Sequence, residues 1–111
     1  MEKLYKKHCE VSNSKNPPFD INEIRKYLKE VDTWDVKSST DNNYYLKKKF
    51  KFSNFIKSQT FVNKIGALAE LEEHHPDISF GWGYARIKIS THAISGLTIN
   101  DFILAAKIDR I

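Results

Sequence analysis

The stretch Glu70-Leu71-Glu72-Glu73-His74-His75-Pro76-Asp77 marks the point where a long helix gives way to strands in this chain of 111 residues. An apolar stripe with helical spacing precedes it, and alternating residues typical of strands follow it. Pro76 has no backbone N–H to donate, so a helix that reaches this stretch has to end there. The stretch therefore predicts a helix-to-strand junction that carries two adjacent histidines.

The helix before this junction is predicted from an apolar stripe. The positions of that stripe are Phe55, Ser58, Phe61, Val62, Ile65, Leu68 and Ala69. Ser53 is the predicted N-cap, because its hydroxyl can accept a free backbone N–H of the first turn. Glu70 lies off the stripe and four residues before His74, which places the two side chains on one helical face. We therefore expect this helix to deliver a carboxylate and an imidazole together to its C-terminal end.

The residues before this helix predict another helix and a β-hairpin. Asp20-Ile21-Asn22-Glu23 is a capping box, and apolar residues follow it at spacings of three and four. Trp34-Asp35-Val36 begins a strand, and Asp41-Asn42-Asn43 has the composition of a turn. From residue 44 to residue 52 the even positions are apolar or aromatic apart from Lys48, and the odd positions are lysines apart from Tyr45, which predicts a strand with one buried and one solvated face.

The residues after the junction complete the fold. Residues 79–83 and 87–91 predict a second pair of strands. Thr98-Ile99-Asn100-Asp101 is another capping box, with Asp in the Glu position, and it opens a last helix that runs to about Arg110. That helix is apolar around nearly its whole circumference, so we expect one side in the core and the other against a second subunit. The order α-β-β-α-β-β-α predicts an α+β fold, a four-stranded antiparallel sheet with helices packed on one face.

Composition limits the class of protein. The length suits one domain, and we predict a polar N-terminal tail over residues 1–18 and a single domain over residues 19–111.

The net charge of +4 permits contact with nucleic acid, but the lysines between residues 47 and 51 fit the solvated side of a sheet better, so we predict no nucleic-acid partner. Cys9 is the only cysteine, which excludes an internal disulfide. Without a signal peptide or an apolar run of about 20 residues, we expect a cytoplasmic protein with no membrane partner.

The candidate catalytic residues are His74, His75 and His92. Histidine is the side chain that exchanges a proton most readily near neutral pH, and Glu70 lies close by, so the set suits general acid–base catalysis. The alternative for any one of these histidines is either a helix C-cap or a buried, hydrogen-bonded ring. A metal site is disfavoured because no His-x-His, His-x-x-x-His or cysteine spacing is present, and nothing places Cys9 beside a histidine as a nucleophile. Trp82 either forms a flat wall for a planar substrate or packs in the core.

One set of residues has the spacing of a known family signature. It comprises Glu70-x-x-x-His74-His75-Pro76, Trp82, Thr91-His92, Gly96-Leu97-Thr98 and Asp101, with upstream matches at Trp34-Asp35-Val36, Leu46-x-Lys48-x-Phe50-x-Phe52, Phe55, His8-Cys9 and Pro17-Pro18-Phe19. Over residues 8–111 the chain thereby resembles the pterin-4a-carbinolamine dehydratase family, and its first residues resemble bacterial members. Two positions depart from the family pattern: Ile78 stands where many members have Trp, and Asn100 where many have Arg.

The resemblance implies an enzyme, a hydro-lyase that dehydrates 4a-hydroxytetrahydropterin to quinonoid dihydropterin and water. This reaction recycles the cofactor of aromatic amino-acid hydroxylases, so a functional link to such a hydroxylase is implied. No cofactor and no metal are implied, because the pterin is the substrate. A homodimer or homotetramer is implied as the assembly. The alternative, taken from animal members, is a non-catalytic binding or dimerisation role that uses the apolar C-terminal helix.

The resemblance also implies roles for single residues. His74 and His92 are the implied acid–base pair, and His75 belongs to the same catalytic set as the residue that binds and orients the pterin. The implied substrate-binding residues are Glu70, Trp82 and Asp101. Glu70 either hydrogen-bonds the pterin ring or tunes His74, and Asp101 closes the site from the last helix. The departures at positions 78 and 100 bear on substrate affinity and side-chain preference rather than on the reaction.

Overall fold

The computed structural model describes residues 3–10, 17–39 and 43–111. The helices and strands within these residues are, in chain order, α1 Ile21–Leu28, β1 Asp35–Ser38, β2 Tyr44–Lys51, α2 Phe55–Glu72, β3 Asp77–Gly81, β4 Tyr84–Ile89 and α3 Ile99–Ile108. Short 3-10 turns lie at Leu4–Lys6 and His92–Ile94. The order of elements confirms the predicted α+β fold.

The sheet has the strand order β1-β2-β4-β3, with antiparallel neighbours throughout. Between β2 and β4, Leu46 lies opposite Ile89, and Lys47 lies opposite Lys88. Leu46 and Ile89 are fully buried, whereas both lysines are exposed. The predicted alternation of β2 is therefore confirmed, and the lysines at 47, 49 and 51 lie on the exposed face.

Local capping explains where two of the helices begin. At α1, the Asp20 side chain accepts a hydrogen bond from the Glu23 amide, and the Glu23 carboxylate accepts one from the Asp20 amide, as the capping box predicts. The N-cap of α2 is Asn54 and not Ser53, which corrects the prediction. The Asn54 Oδ1 accepts a hydrogen bond of 2.9 Å from the Lys57 amide. Ser53 lies one residue too early to occupy this position.

The helix α3 is enclosed by its own chain. Residues 100–106 are all buried, as is Ile108. Phe19 and Tyr27 lie against the Phe102 ring, and Leu4 is only 6% exposed within the same core. The predicted subunit interface on α3 is therefore wrong, because the N-terminal segment and α1 already cover the helix. Although α3 is apolar, none of the described helices has the length and hydropathy that a membrane span requires.

Part of the predicted N-terminal tail lies on the domain. Leu4 is buried in the core, and Tyr5 and Cys9 pack against that core, so residues 3–10 contact the domain predicted to begin at residue 19. Residues 11–16 of that predicted tail lie outside the described residues, as do Asp41 and Asn42 of the predicted turn.

The second hairpin begins earlier than predicted. β3 begins at Asp77, directly after Pro76, and β4 begins at Tyr84. The turn between them contains Trp82 and Gly83, and Gly83 adopts a positive φ of 77° that residues with a side chain rarely occupy. The histidine pair before β3 and His92 after β4 consequently lie at one end of the hairpin, and the turn lies at the other.

Candidate functional site

A cavity of about 360 Å³ opens where the α2–β3 junction meets the segment that follows β4. Its lining residues are Cys9, Glu10, Glu72, Glu73, His74, His75, Ser90, Thr91, His92, Ala93 and Asn100. The volume lies within the range of roughly 300–1,000 Å³ that is typical of small-molecule sites. The fold thus brings the three predicted catalytic histidines to one cavity.

The end of α2 sets the direction of His74. The helix ends at Glu72, and Glu73 adopts the left-handed conformation with a φ of 53°. This C-cap reverses the chain, and the His74 amide donates to the carbonyl of Ala69 at 3.2 Å. The imidazole then meets α3, where its Nε2 lies 2.7 Å from Oδ1 of Asp101. The His74 side chain is only 11% exposed, so the pair is shielded from most of the solvent.

Asp101 is a fully buried carboxylate whose two oxygens are both hydrogen-bonded. Its Oδ2 accepts from the Thr91 hydroxyl and from the Thr98 amide, each at 2.8 Å, while its Oδ1 faces His74. The contact with the Thr98 amide completes the capping box of α3, as predicted. One carboxylate therefore starts the helix and also orients the imidazole.

This geometry suits His74 to proton uptake. A neutral imidazole that donates its Nε2–H to Asp101 keeps Nδ1 as a proton acceptor. After proton uptake, the adjacent carboxylate stabilises the imidazolium without taking the proton itself. Among the residues that the structure describes, no three His, Cys, Asp or Glu side chains form a group that could hold a metal ion.

Glu70 pairs with His75 and not with His74. Its Oε2 is hydrogen-bonded to the Nε2 of His75, and both side chains are largely exposed. The prediction assumed that the helix continues to residue 74, but α2 ends at Glu72, and the reversal at Glu73 turns His74 toward α3. Because both side chains are largely exposed, their polar groups remain accessible to a ligand. An exposed pair of this kind contributes little to stability.

His92 lines the same cavity from the 3-10 turn after β4. The preceding residue, Thr91, is buried, bridges to Gly96 and donates to Asp101. Thr91 thereby fixes the backbone of His92 relative to His74. The His92 side chain is exposed, and within the described ranges no hydrogen bond from another side chain holds its ring.

Trp82 does not line the cavity. It lies in the turn between β3 and β4 and is 71% exposed. The five residues of β3, at about 3.4 Å each, put roughly 17 Å between this turn and the histidine junction. The predicted role of Trp82 as a wall of the site is therefore wrong within a single chain, and so is its alternative as a core aromatic.

The cavity wall also contains residues that are not among the predicted site residues, and three of them are Cys9, Glu10 and Glu72. A signal for Glu72 was available. The buried residues of α2 follow one another as Phe61, Ile65, Ala69 and then Glu72, at spacings of four, four and three. An acid on the buried stripe of a helix needs a partner, because burying an unpaired charge is costly. No comparable signal marked Glu10, which lies in a polar segment.

Glu72 has that partner. Its side chain is 1% exposed, and it accepts hydrogen bonds of 2.7 Å from the Lys107 ammonium and from the Cys9 amide. Its Oε2 also lies 3.0 Å from Nδ1 of His8. Burial raises the pKa of Glu72, but the hydrogen bonds from Lys107, Cys9 and His8 outweigh this effect and lower its pKa to about 2.

We expect Glu72→Gln to weaken the acid sensitivity of the fold. The folded-state pKa of about 2 lies below the ordinary value of 4.5, so the stabilisation is complete above pH 4.5 and is lost as the pH falls toward 2. The shift corresponds to a contribution on the order of 3 kcal/mol to the free energy of unfolding. In urea unfolding at pH 5, 4 and 3, the free energy of unfolding should fall less steeply with pH for the variant than for the wild type. Asp35→Asn, on the exposed edge of β1, should keep the wild-type pH dependence. Equal slopes for Glu72→Gln and the wild type would contradict the assignment.

Cys9 lies in the wall as a protonated thiol. Burial raises its pKa to about 12, and the negative charge of Glu72 adds to the effect. Its Sγ donates a hydrogen bond of 3.5 Å to the carbonyl of Asn100. A thiol with so high a pKa is a poor nucleophile at neutral pH, so the histidines remain the groups that can carry chemistry.

Comparison with known proteins places residues 17–111 within a family model described as pterin 4 alpha carbinolamine dehydratase. A protein of Methylococcus capsulatus is 43% identical over 108 residues, covering 97% of this chain and 92% of that protein. A protein of Rickettsia canadensis is 46% identical over 110 residues, covering 98% and 97%. Both carry the name "Putative pterin-4-alpha-carbinolamine dehydratase".

Two solved structures share the fold at 24% sequence identity. One is a transcriptional coactivator/pterin dehydratase from Brucella melitensis, with a TM-score of 0.75 over 84% of this chain and 96% of that one. The other is a pterin dehydratase-like protein identified as a RuBisCO assembly factor in the alpha-carboxysome, with a TM-score of 0.60 over 71% and 88%. At this level of identity the likeness establishes the architecture alone.

Proposed function

This chain belongs to the pterin 4 alpha carbinolamine dehydratase family, and on that premise we propose that it dehydrates a 4a-hydroxytetrahydropterin to quinonoid dihydropterin and water. The observation that carries the proposal is the hydrogen bond between His74 and the buried Asp101, in the wall of a cavity that His75 and His92 also line. Such an arrangement is suited to moving protons, and the proposed reaction consists of proton transfers around one bond cleavage.

In the proposed reaction the N5–H and C4a–O bonds of the pterin break. The electron pair of the N5–H bond forms the C4a=N5 double bond, and the hydroxyl group leaves as water once it has gained a proton. One group therefore has to accept a proton from N5, and another has to donate one to the leaving oxygen. No oxidant and no cofactor enter this balance.

We assign the base to His74, because its contact with Asp101 leaves Nδ1 as the proton acceptor. His92 is assigned as the acid, since it is exposed at the cavity and its ring can turn toward a substrate. His75, oriented by Glu70, binds and orients the pterin ring. The carboxylate of Asp101 acts through His74 and is a positioning residue.

The partners implied by the sequence belong to the same proposal. We expect a homodimer or homotetramer and a functional link to an aromatic amino-acid hydroxylase. Because α3 is covered by its own chain, the surface left for self-association includes α2, where Ile56 and Leu71 are 67% and 76% exposed. For the same reason, nothing in the structure favours the alternative of a binding role through α3.

The direct test supplies the substrate from a phenylalanine hydroxylase reaction and follows the absorbance of the 4a-hydroxypterin. We expect the purified protein to accelerate its decay well above the rate in buffer. A decay rate equal to that in buffer, with folded protein present, would remove the proposed activity. Light scattering after size-exclusion chromatography tests the oligomer separately.

A further inference from the structure

The N-terminal segment forms a part of the cavity wall to which the proposed reaction gives no role. Cys9 and Glu10 line the cavity together with the histidines. At the start of this segment, Leu4 is buried in the core, so apolar packing holds one end. The other end, residues 8–10, is held by polar contacts with α2 and α3.

Glu72 anchors residues 8 and 9 to α2. Its Oε1 accepts from the amide of Cys9, and its Oε2 accepts from Lys107 and lies within hydrogen-bonding distance of His8. Hydrogen bonds to an ionised group are stronger than those between neutral groups, and the low local dielectric strengthens them further. The backbone at residue 9 is thus fixed by a buried charge and not only by surface contacts.

Asn100 holds residue 10 to α3. Its Oδ1 accepts from the Glu10 amide at 3.0 Å, and its Nδ2 donates to the Glu10 carbonyl. Asn100 is 5% exposed and immediately precedes Asp101, the residue that orients His74. The segment and the catalytic pair therefore share one support, the first turn of α3.

We propose that Glu72 is a positioning residue that holds residues 8–10 as a strap along one side of the cavity, where the strap strengthens binding of the reduced pterin. The identity of this ligand rests on the proposed function. None of the strap groups is assigned to proton transfer, so the strap stabilises the bound substrate and the transition state alike. Loosening it raises KM and leaves kcat nearly unchanged.

Glu72→Gln tests the strap, with Asp35→Asn as a remote control for the loss of one carboxylate. Hydrogen exchange measured by mass spectrometry reports the order of residues 8–10, and calorimetric titration with 7,8-dihydropterin, which has no hydroxyl group to lose, reports binding. We expect faster exchange in the strap and a rise of about tenfold in both Kd and KM, with kcat changed less than about twofold. Asp35→Asn should match the wild type in all four measurements.

Lys107 provides a second pair of variants should Glu72→Gln fold poorly. Lys107→Gln removes the cation that pairs with Glu72, and Lys107→Arg keeps it. We expect Lys107→Gln to raise the rate of hydrogen exchange in the strap, the Kd and the KM. We expect Lys107→Arg to keep all three near their wild-type values. Faster exchange with unchanged Kd and KM would overturn the proposal, and so would unchanged exchange in both Glu72→Gln and Lys107→Gln.

Different experimental outcomes reject the proposed reaction and the strap proposal. Wild-type protein that binds 7,8-dihydropterin in a strap-dependent way but does not consume the 4a-hydroxypterin defeats the reaction alone. Wild-type protein that does not bind the dihydropterin defeats the strap proposal, whatever its turnover.

Discussion

His74→Ala is expected to lower kcat by about two to four orders of magnitude, the range that a positioned general acid or base typically contributes. The reason is local. His74 is the one predicted catalytic histidine whose ring is both largely buried and hydrogen-bonded to a buried carboxylate within the described residues. Its loss removes the group to which we assign proton abstraction from N5, and the remaining histidines have no comparable orientation. Single-turnover kinetics with 4a-hydroxypterin measure the change.

A matched variant separates this chemical effect from a structural one. His74→Ala leaves the buried oxygen of Asp101 without its hydrogen-bond donor, which is destabilising by itself. His74→Gln retains an amide that can donate to Asp101 but cannot take up a proton from the substrate. We expect both variants to lose activity and His74→Gln to unfold at a higher urea concentration than His74→Ala. Activity near the wild-type level in a folded His74→Gln would exclude His74 as the base.

The secondary structure was largely predictable because it depends on local patterns. Apolar residues at helical spacing, the alternation of β2, and the capping boxes at Asp20 and Thr98 act over a few residues, and the structure confirms each of them. The exact end of α2 was not predictable in the same way. Glu73 adopts a left-handed conformation that Gly or Asn adopts more readily, so its sequence gave no sign that the chain reverses there.

The contacts of the site depend on that reversal and on tertiary packing. His74 reaches Asp101 across 27 residues, and its partner could not be deduced from helical phase, which pointed to Glu70. Likewise, the apolar residues around the whole circumference of α3 predicted correctly that the helix is buried, but they could not identify which part of the protein covers it. The N-terminal segment does so, and its mostly polar sequence conceals Leu4 as a core residue. Spacing identified the histidines, but only packing supplied their partners.

Asp101→Asn is expected to lower kcat on the order of 10²- to 10⁴-fold while it preserves the shape of the site. The asparagine oxygen can still accept from the Thr98 amide and the Thr91 hydroxyl, so the start of α3 is kept. Its NH₂ group then faces Nε2 of His74, which has to become the acceptor. The ring therefore carries its proton on Nδ1, the nitrogen that should receive the proton from N5. We expect the free energy of unfolding to fall by only about 1–2 kcal/mol, because a charged partner is replaced by a neutral one.

The tautomer of His74 is the measurement that distinguishes this mechanism from a loss of helix capping. Nitrogen NMR of the imidazole should show the proton on Nε2 in the wild type and on Nδ1 in Asp101→Asn. Asp109→Asn is the matched control, since Asp109 lies at the other end of α3 and pairs with Lys48 and Trp34, away from the cavity. It should lose stability and keep kcat. If Asp101→Asn shifts the proton and kcat stays within about threefold of the wild type, Asp101 serves the helix alone, and His74 does not need this orientation for the chemistry.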